Sequence, residues 1–321
     1  MTPPLSDHFN GKTFFSRGHI DRTLLDILRW RLTSRGSRWP ERVPIAPQTP
    51  LHTPREDEIV ATWLGHATWL LQTTQGNILI DPVFSERASP VQWAGPRRAH
   101  EPPMALEALP PIHAVLLSHD HYDHCDAVAL RRLAAVHSPV FVAPLRHRDL
   151  LAATGAQQIV ELDWWDSHAL SPNLAIALTP TRHWSNRFGT PRNHRLWGGF
   201  FLTIGSAATT KRVWFVGDSG YDAATFGEIA HRCGTPDLAL IPIGAYEPRW
   251  FMEPYHMNPA EAVATHRQLG ARRSVAMHWG TFQLTDESRE APVQSLAAAR
   301  VEAGITEDEF LVLAPGASLL M

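Results

Sequence analysis

The chain has 321 residues, with 29 Lys+Arg against 32 Asp+Glu for a formal net charge of −3, and it carries 18 His but only 2 Cys. That balance lacks the basic excess of a nucleic-acid-binding surface, and two cysteines cannot build a disulfide framework. A composition of 44% hydrophobic and 19% charged residues excludes wholesale disorder and supports one large core or two ordinary ones.

In chain order, the stretch from Met1 to His8 has neither a basic n-region nor an apolar h-region. No apolar run approaches the ~18 residues of a membrane span, so a cytoplasmic protein is expected. Residues 1–56 form a distinct arm, carrying Arg17, Arg22, Arg29, Arg31, Arg35, Arg38 and Arg42 and ending in the proline-rich stretch Pro44 to Pro54. Within it Ile20, Leu24, Leu28 and Leu32 recur at helical spacing, widened by Leu25, Ile27 and Trp30, which predicts an amphipathic helix of about four turns. Such a helix either packs on the body or lies peripherally on a membrane, its arginines toward anionic headgroups.

Residues 57–321 read as one layered domain of strands and helices. Ile59–Leu64, Thr68–Thr73 and Asn77–Ile80 have strand character, and strand–helix pairs follow. Ala114–Leu117 precedes a helix near 126–136, and Val213–Val216 precedes one near 222–232. Leu238–Ile243 leads to a helix near 259–268, and Ser274–Met277 to a final helix near 292–303. The alternation predicts an α/β architecture of stacked sheet and helix.

Three of these strands end in residues that can hold a metal. After Leu117 comes Ser118-His119-Asp120-His121-Tyr122-Asp123-His124, in which period-two geometry points His119 and His121 the same way. Val216-Gly217-Asp218 delivers a carboxylate into a glycine-flanked turn, where an unpaired buried charge would be costly. Met277-His278 ends the third strand, and His183 sits in Thr181-Arg182-His183-Trp184. Together His119, His121, Asp123, His124, His183, Asp218 and His278 supply seven ligands. That set suits two metal ions sharing one carboxylate, and its imidazole and carboxylate donors suit zinc and also iron or manganese.

This strand-end pattern resembles the metallo-β-lactamase superfamily, which implies a four-layer αβ/βα sandwich with a two-metal site at one edge. Trp63-Leu64-Gly65-His66-Ala67-Thr68, Asp81-Pro82-Val83-Phe84-Ser85, Glu161-Leu162-Asp163-Trp164-Trp165 and the run from Ile241 to Met252 narrow the likeness. They are similar to one branch, the N-acyl-phosphatidylethanolamine-hydrolysing phospholipases D. The resemblance implies that His119, His121 and His183 hold one zinc, that Asp123, His124 and His278 hold the other, and that Asp218 bridges them. It places His256 beside the site against the substrate phosphate, with Asp123 and Asp218 among the catalytic groups. Tyr246, Glu247 and Arg249 become wall or supporting residues, and His66 and Asp81 supports at strand ends. His8, His100, His147, His231 and His266 read as ordinary surface or core residues.

The implied reaction is hydrolysis of a phospholipid or other phosphodiester, releasing N-acylethanolamine and phosphatidic acid. Trp164, Trp165, Trp184, Trp197, Trp250 and Trp279 are candidates to line an acyl-chain groove, and the family likeness is compatible with a homodimer. Asp120 stands where the animal enzyme has an uncharged amide, so the charge at the metal edge is expected to differ. Two alternatives use the same scaffold: a lactonase acting on a phosphorylated sugar lactone, and an iron-dependent oxidoreductase.

Overall fold

The computed structural model describes residues 6–16, 18, 20–45, 53–55 and 57–321; Met1 to Leu5, Arg17 and residues 46–52 of the proline-rich stretch lie outside the described residues. The elements run α1 (Leu24–Thr33), β1 (Val60–Trp63), β2 (Trp69–Thr73), β3 (Gly76–Ile80), β4 (Ala114–Leu116), α2 (Ala127–His137), β5 (Val140–Pro144), α3 (Arg148–Ala152) and β6 (Gln158–Leu162). There follow β7 (Ser167–Ser171), β8 (Leu174–Thr179), β9 (Gly199–Ile204), β10 (Lys211–Phe215), α4 (Ala223–Cys233), β11 (Leu238–Pro242) and α5 (Arg249–Met252). The chain closes with α6 (Pro259–Leu269), β12 (Arg273–Met277), α7 (Ala291–Ala303), β13 (Phe310–Leu311) and β14 (Ser318–Leu320).

The strands form two seven-stranded mixed sheets, in the orders β14-β1-β2-β3-β4-β5-β6 and β13-β12-β11-β10-β9-β8-β7. Alternation along each strand decides what lies between them. Trp63, Trp69, Leu71, Ile78, Ile80 and Leu116 of the first sheet meet Ile176, Phe200, Leu202, Phe215, Leu240 and Met277 of the second in one central core. The opposite faces are apolar too. Leu70, Leu79, Val115 and Phe141 pack on Leu130 and Leu133 of α2, and Trp214, Ala239, Ile241 and Ala276 pack on residues of α4, α6 and α7. Helix, sheet, sheet and helix are therefore stacked, the four-layer α/β sandwich expected from the sequence.

Local chemistry sets the element ends. Asp126 caps α2 by accepting from Val128 N and Ala129 N, and it also accepts from Phe84 N and Ser85 N, tying two loops together. A capping box of Asn258 and Glu261 starts α6, and Gly270 ends it in the left-handed region.

The arm differs from expectation. A capping box of Thr23 and Asp26 starts α1 at Leu24, so Ile20 precedes the helix and only 10 residues are helical. No residue of α1 is buried; Leu24, Leu25 and Leu32 are 83%, 76% and 76% exposed. Elsewhere the arm is anchored, Phe14 in the central core and His8 against Trp164, but α1 and its flanks meet the body along one side. Trp30 stacks near Phe251 and donates to Asp286, Ser34 also donates to Asp286, Trp39 donates to the Glu287 carbonyl, and Arg22 donates to the carbonyls of Trp250 and Phe251. No described helix is long and apolar enough to cross a membrane.

Candidate metal centre

The strand ends converge at one edge of the two sheets. Ser118 to His124 follow β4, Asp218 follows β10, His278 follows β12, and His183 follows β8. Asp81 leaves β3 and His66 sits between β1 and β2. His66, Asp81 and His278 have positive φ angles of 50°, 41° and 60°, a conformation costing a non-glycine residue about 1–3 kcal/mol unless its surroundings enforce it. Here they do: His278 N donates to His66 O, Asp81 N donates to Leu116 O, and His66 N donates to Thr281 Oγ1. Gly244 runs so close to His278 that a Cβ there would sit 2.1 Å from the His278 carbonyl oxygen. Only glycine fits.

Three of the imidazoles are oriented by their other nitrogen. Ser118 donates its hydroxyl to Asp81 Oδ2, leaving its oxygen to accept His119 Nδ1–H at 2.9 Å. His124 Nδ1 donates to Asp81 Oδ2 at 2.7 Å, and His183 Nδ1 donates to Tyr255 O at 3.0 Å. Protons on these nitrogens turn Nε2 of His119 and His183 inward as lone pairs, and Nε2 of His124 faces the two carboxylates.

Two groups result. In the first, His121 Nδ1 lies 2.9 Å from His119 Nε2 and 3.3 Å from His183 Nε2. Burial holds all three imidazoles below their usual pKa, reinforced at His119 by His124 and His121, so the trio is neutral with three ring nitrogens turned toward one another. In the second, Asp123 Oδ2 lies 2.9 Å from His66 Nε2, 3.4 Å from His278 Nε2 and 3.5 Å from His124 Nε2. Asp218 joins the groups: its Oδ2 is 3.2 Å from Nε2 of both His124 and His278, 3.7 Å from His183 Nε2 and 4.0 Å from His119 Nε2.

The electrostatics match. Burial opposes charge on His278, but Asp218 and Asp123 outweigh it and raise its pKa to about 9; His124 is raised for the same reasons. Burial likewise opposes ionisation of Asp218, and His124 and His278 overcome it. Two buried carboxylates thus gather positive charge as protons, the charge that a metal displaces when it binds.

The residues fit a metal. Buried Nε2 atoms of His121, His124 and His278, Nδ1 of His256 and Oδ1 of Asp218 have no hydrogen-bond partner. Tetrahedral ligands 2.0–2.1 Å from zinc stand about 3.3 Å apart, close to the spacing of the first trio. His119, His121 and His183 form one group with ligand atoms mutually within 4.8 Å, and His66, Asp123, His124 and His278 form another.

The surrounding residues divide by what they touch. His66 adds Nε2–H to Asp123, while burial and the neighbouring His278 lower its pKa to about 3. His256 faces the site with Nδ1 3.9 Å from Asp218 Oδ2, and burial lowers its pKa to about 4. Arg249 stands behind it, donating to His256 O and to both oxygens of Glu261. Tyr246 and Glu247 present backbone N–H groups to Glu287, which also accepts from Ala245 N. Asp120 is buried against Arg195 at 3.0 Å, so its charge is spent inside the loop that carries the ligands.

A cleft of ≈ 220 Å³ opens beside Asp123 and Asp218, with Ile27, Trp30, Trp184, Phe251, Tyr255 and His256 among its walls. Of the six tryptophans expected around a groove, Trp184 alone is among its lining residues. Trp197 is core, Trp279 packs on Trp63, and Trp164 stacks on His8. Sequence reasoning passed over Trp30, Tyr255, Ser118, Glu287 and the His100–Thr281 pair beneath His66. Ser118 adjoined the histidine motif; the others carried no signal of their own.

Comparison with known proteins agrees with this geometry. Residues 76–279 match the Beta-lactamase superfamily domain. The chain is 40% identical over 238 residues, 71% of its length, to N-acyl-phosphatidylethanolamine-hydrolyzing phospholipase D 1 of Caenorhabditis elegans, and that match spans 66% of the worm protein. It is 33% identical over 239 residues to the mitochondrial enzyme of the same name from Saccharomyces cerevisiae, covering 73% of this chain and 50% of the yeast protein. A metallo hydrolase from Ignicoccus hospitalis superposes with a TM-score of 0.60 at 22% identity, over 82% of this chain and 98% of that one. The chain belongs to the beta-lactamase superfamily and is a metal-dependent hydrolase.

Proposed function

We propose that this hydrolase is a two-zinc phosphodiesterase of phospholipase D type, acting on N-acyl-phosphatidylethanolamine or a related phosphodiester. The observation that carries the reading is Asp218, one carboxylate oxygen within 4.0 Å of the inward nitrogens of four histidines drawn from both groups. His119, His121 and His183 would hold one ion, Asp123, His124 and His278 the other, and Asp218 would be shared. When bound, the ions supply Lewis acidity and bring the pKa of water to about 7.

The chain's own groups do the rest. Asp123, fixed by His66, orients the attacking water. The water oxygen bonds to phosphorus and gives up a proton, the bond from phosphorus to the head-group oxygen breaks, and the departing oxygen takes up one proton in return. His256, neutral near pH 7, faces the phosphate. Apolar walls from Ile27, Trp30, Trp184 and Phe251 suit acyl chains. We read residues 1–56 as an arm on a hydrolase domain of 57–321 in the cytoplasm. The outer side of α1, with exposed Leu24, Leu25, Leu28 and Leu32 beside exposed Arg31, suits peripheral contact with an anionic membrane.

The test is turnover of N-acyl-phosphatidylethanolamine, bis-p-nitrophenyl phosphate and a lactone panel, with metal content measured on the same sample. Diester hydrolysis with two zinc ions per chain is expected. Hydrolysis of lactones alone, or redox-active iron in the site, contradicts the reading.

A further inference from the structure

One cation at the cleft is placed differently from its neighbours. Arg22 also lines the cleft, but it spends donors on two backbone carbonyls. Arg187 donates to the carbonyls of Asp120 and Cys125, and Arg195 is paired with Asp120. Arg192 lines the cleft, gives one N–H to the Tyr255 hydroxyl at 3.1 Å, and keeps a buried Nε with no hydrogen-bond partner. That nitrogen makes a long ion pair with largely exposed Asp21, at 3.8 Å and without a hydrogen bond, which solvent screens.

The guanidinium lies over aromatic rings of residues that also meet the metal ligands. Its carbon lies 4.3 Å over Trp184 and 5.7 Å over Tyr255. The Trp184 ring is 4.4 Å from His121, and Tyr255 O accepts from His183. The loop beneath is cross-linked: Ser185 N donates to Asn193 Oδ1, Asn193 N donates to Ser185 O, and Ser185 Oγ donates to Arg195 O. A planar cation with unspent donors is therefore fixed at the mouth of the metal pocket, the geometry that suits a forked grip on phosphate oxygens.

We propose that Arg192 binds the anionic phosphoryl group of the substrate and selects phosphodiesters over uncharged esters. The proposal rests on the phosphodiesterase reading for the identity of that group. The test uses the zinc-loaded full chain and its Arg192→Met and Arg192→Lys variants, each checked for unchanged melting temperature and zinc content. Calorimetry with inorganic phosphate reads binding, and bis-p-nitrophenyl phosphate reads KM and kcat. In Arg192→Met the phosphate Kd and the diester KM should rise about 10- to 100-fold, the range for losing a charge-assisted hydrogen bond, with kcat much less affected. Arg192→Lys should recover part of the loss.

A Met variant that folds, holds zinc and binds phosphate as tightly as the parent overturns the proposal. Should the parent not hydrolyse the diester, the phosphodiesterase reading falls, while calorimetry still decides for or against Arg192 as an anion site. Should Arg192→Met unfold the protein, Arg192→Lys decides through the same phosphate titration: weakened binding at an unchanged melting temperature supports the grip, and unchanged binding overturns it.

Discussion

The metal edge and the N-terminal arm both wall the same cleft, yet they are built by opposite means. At the metal edge the functional side chains are mostly buried and four of them have a second partner: Asp81 behind His124, Ser118 behind His119, Tyr255 behind His183 and His66 behind Asp123. The arm's helical segment places Arg22, Ile27 and Trp30 in the cleft but buries no residue of α1, and residues 22–39 are fastened by polar and ring contacts to Asp286, Glu287 and α5. The difference is one of tolerance. Metal ligands must stay within fractions of an ångström, which takes second partners, whereas a wall for flexible chains does not.

Substitutions that cut into each region should expose this difference. The largest effect is expected from Asp218→Asn, which removes the shared charge and should abolish turnover, read by activity together with metal content. Asp81→Ala comes next. It strips His124 and Ser118 of a buried acceptor and should lower metal affinity about 10- to 100-fold, measured by chelator competition. The arm should respond far less in stability. Asp286→Ala removes acceptors from Trp30 and Ser34, and should cost about 1 kcal/mol or less while speeding hydrogen exchange in 24–34.

The double change Leu25→Asp and Leu28→Asp sharpens the contrast. Both positions are exposed, so stability should move by no more than about 0.5 kcal/mol, while turnover on anionic vesicles falls and turnover of a soluble diester does not. The smallest effect is expected at His8, which stacks on Trp164 and pairs with Asp163 and Asp7. Burial opposes its charge, but Asp163 and Asp7 outweigh it and raise its pKa. The stabilisation is therefore fully present below about pH 6.5 and is lost as pH rises through the raised value. The melting-temperature gap between the parent and His8→Gln should be wider at pH 6 than at pH 9.

The fold was legible where apolar runs were short and ended in turn or ligand residues, as at β4, β10 and β12. The seven candidate ligands were legible for the same reason, since strand ends deliver them to one edge. Second partners were less so. Asp81 and His66 were visible because they end strands, but nothing local in the sequence marks Glu287 as acceptor for three successive backbone N–H groups, or Tyr255 as the orienter of His183. Those contacts join residues distant in the chain. The length of α1 was misjudged because hydrophobic spacing continued through Ile20, while the capping chemistry of Thr23 and Asp26 stopped the helix at Leu24. Of the tryptophans offered as groove candidates, Trp184 lines the cleft, while most of the others serve cores and loop packing.

The most direct test of the account is metal stoichiometry with the positions of the ions, measured by anomalous diffraction on crystals of the zinc-loaded protein. The account predicts two ions per chain on either side of Asp218, one among His119, His121 and His183 and the other among Asp123, His124 and His278. A single ion, or two that do not share Asp218, would contradict it.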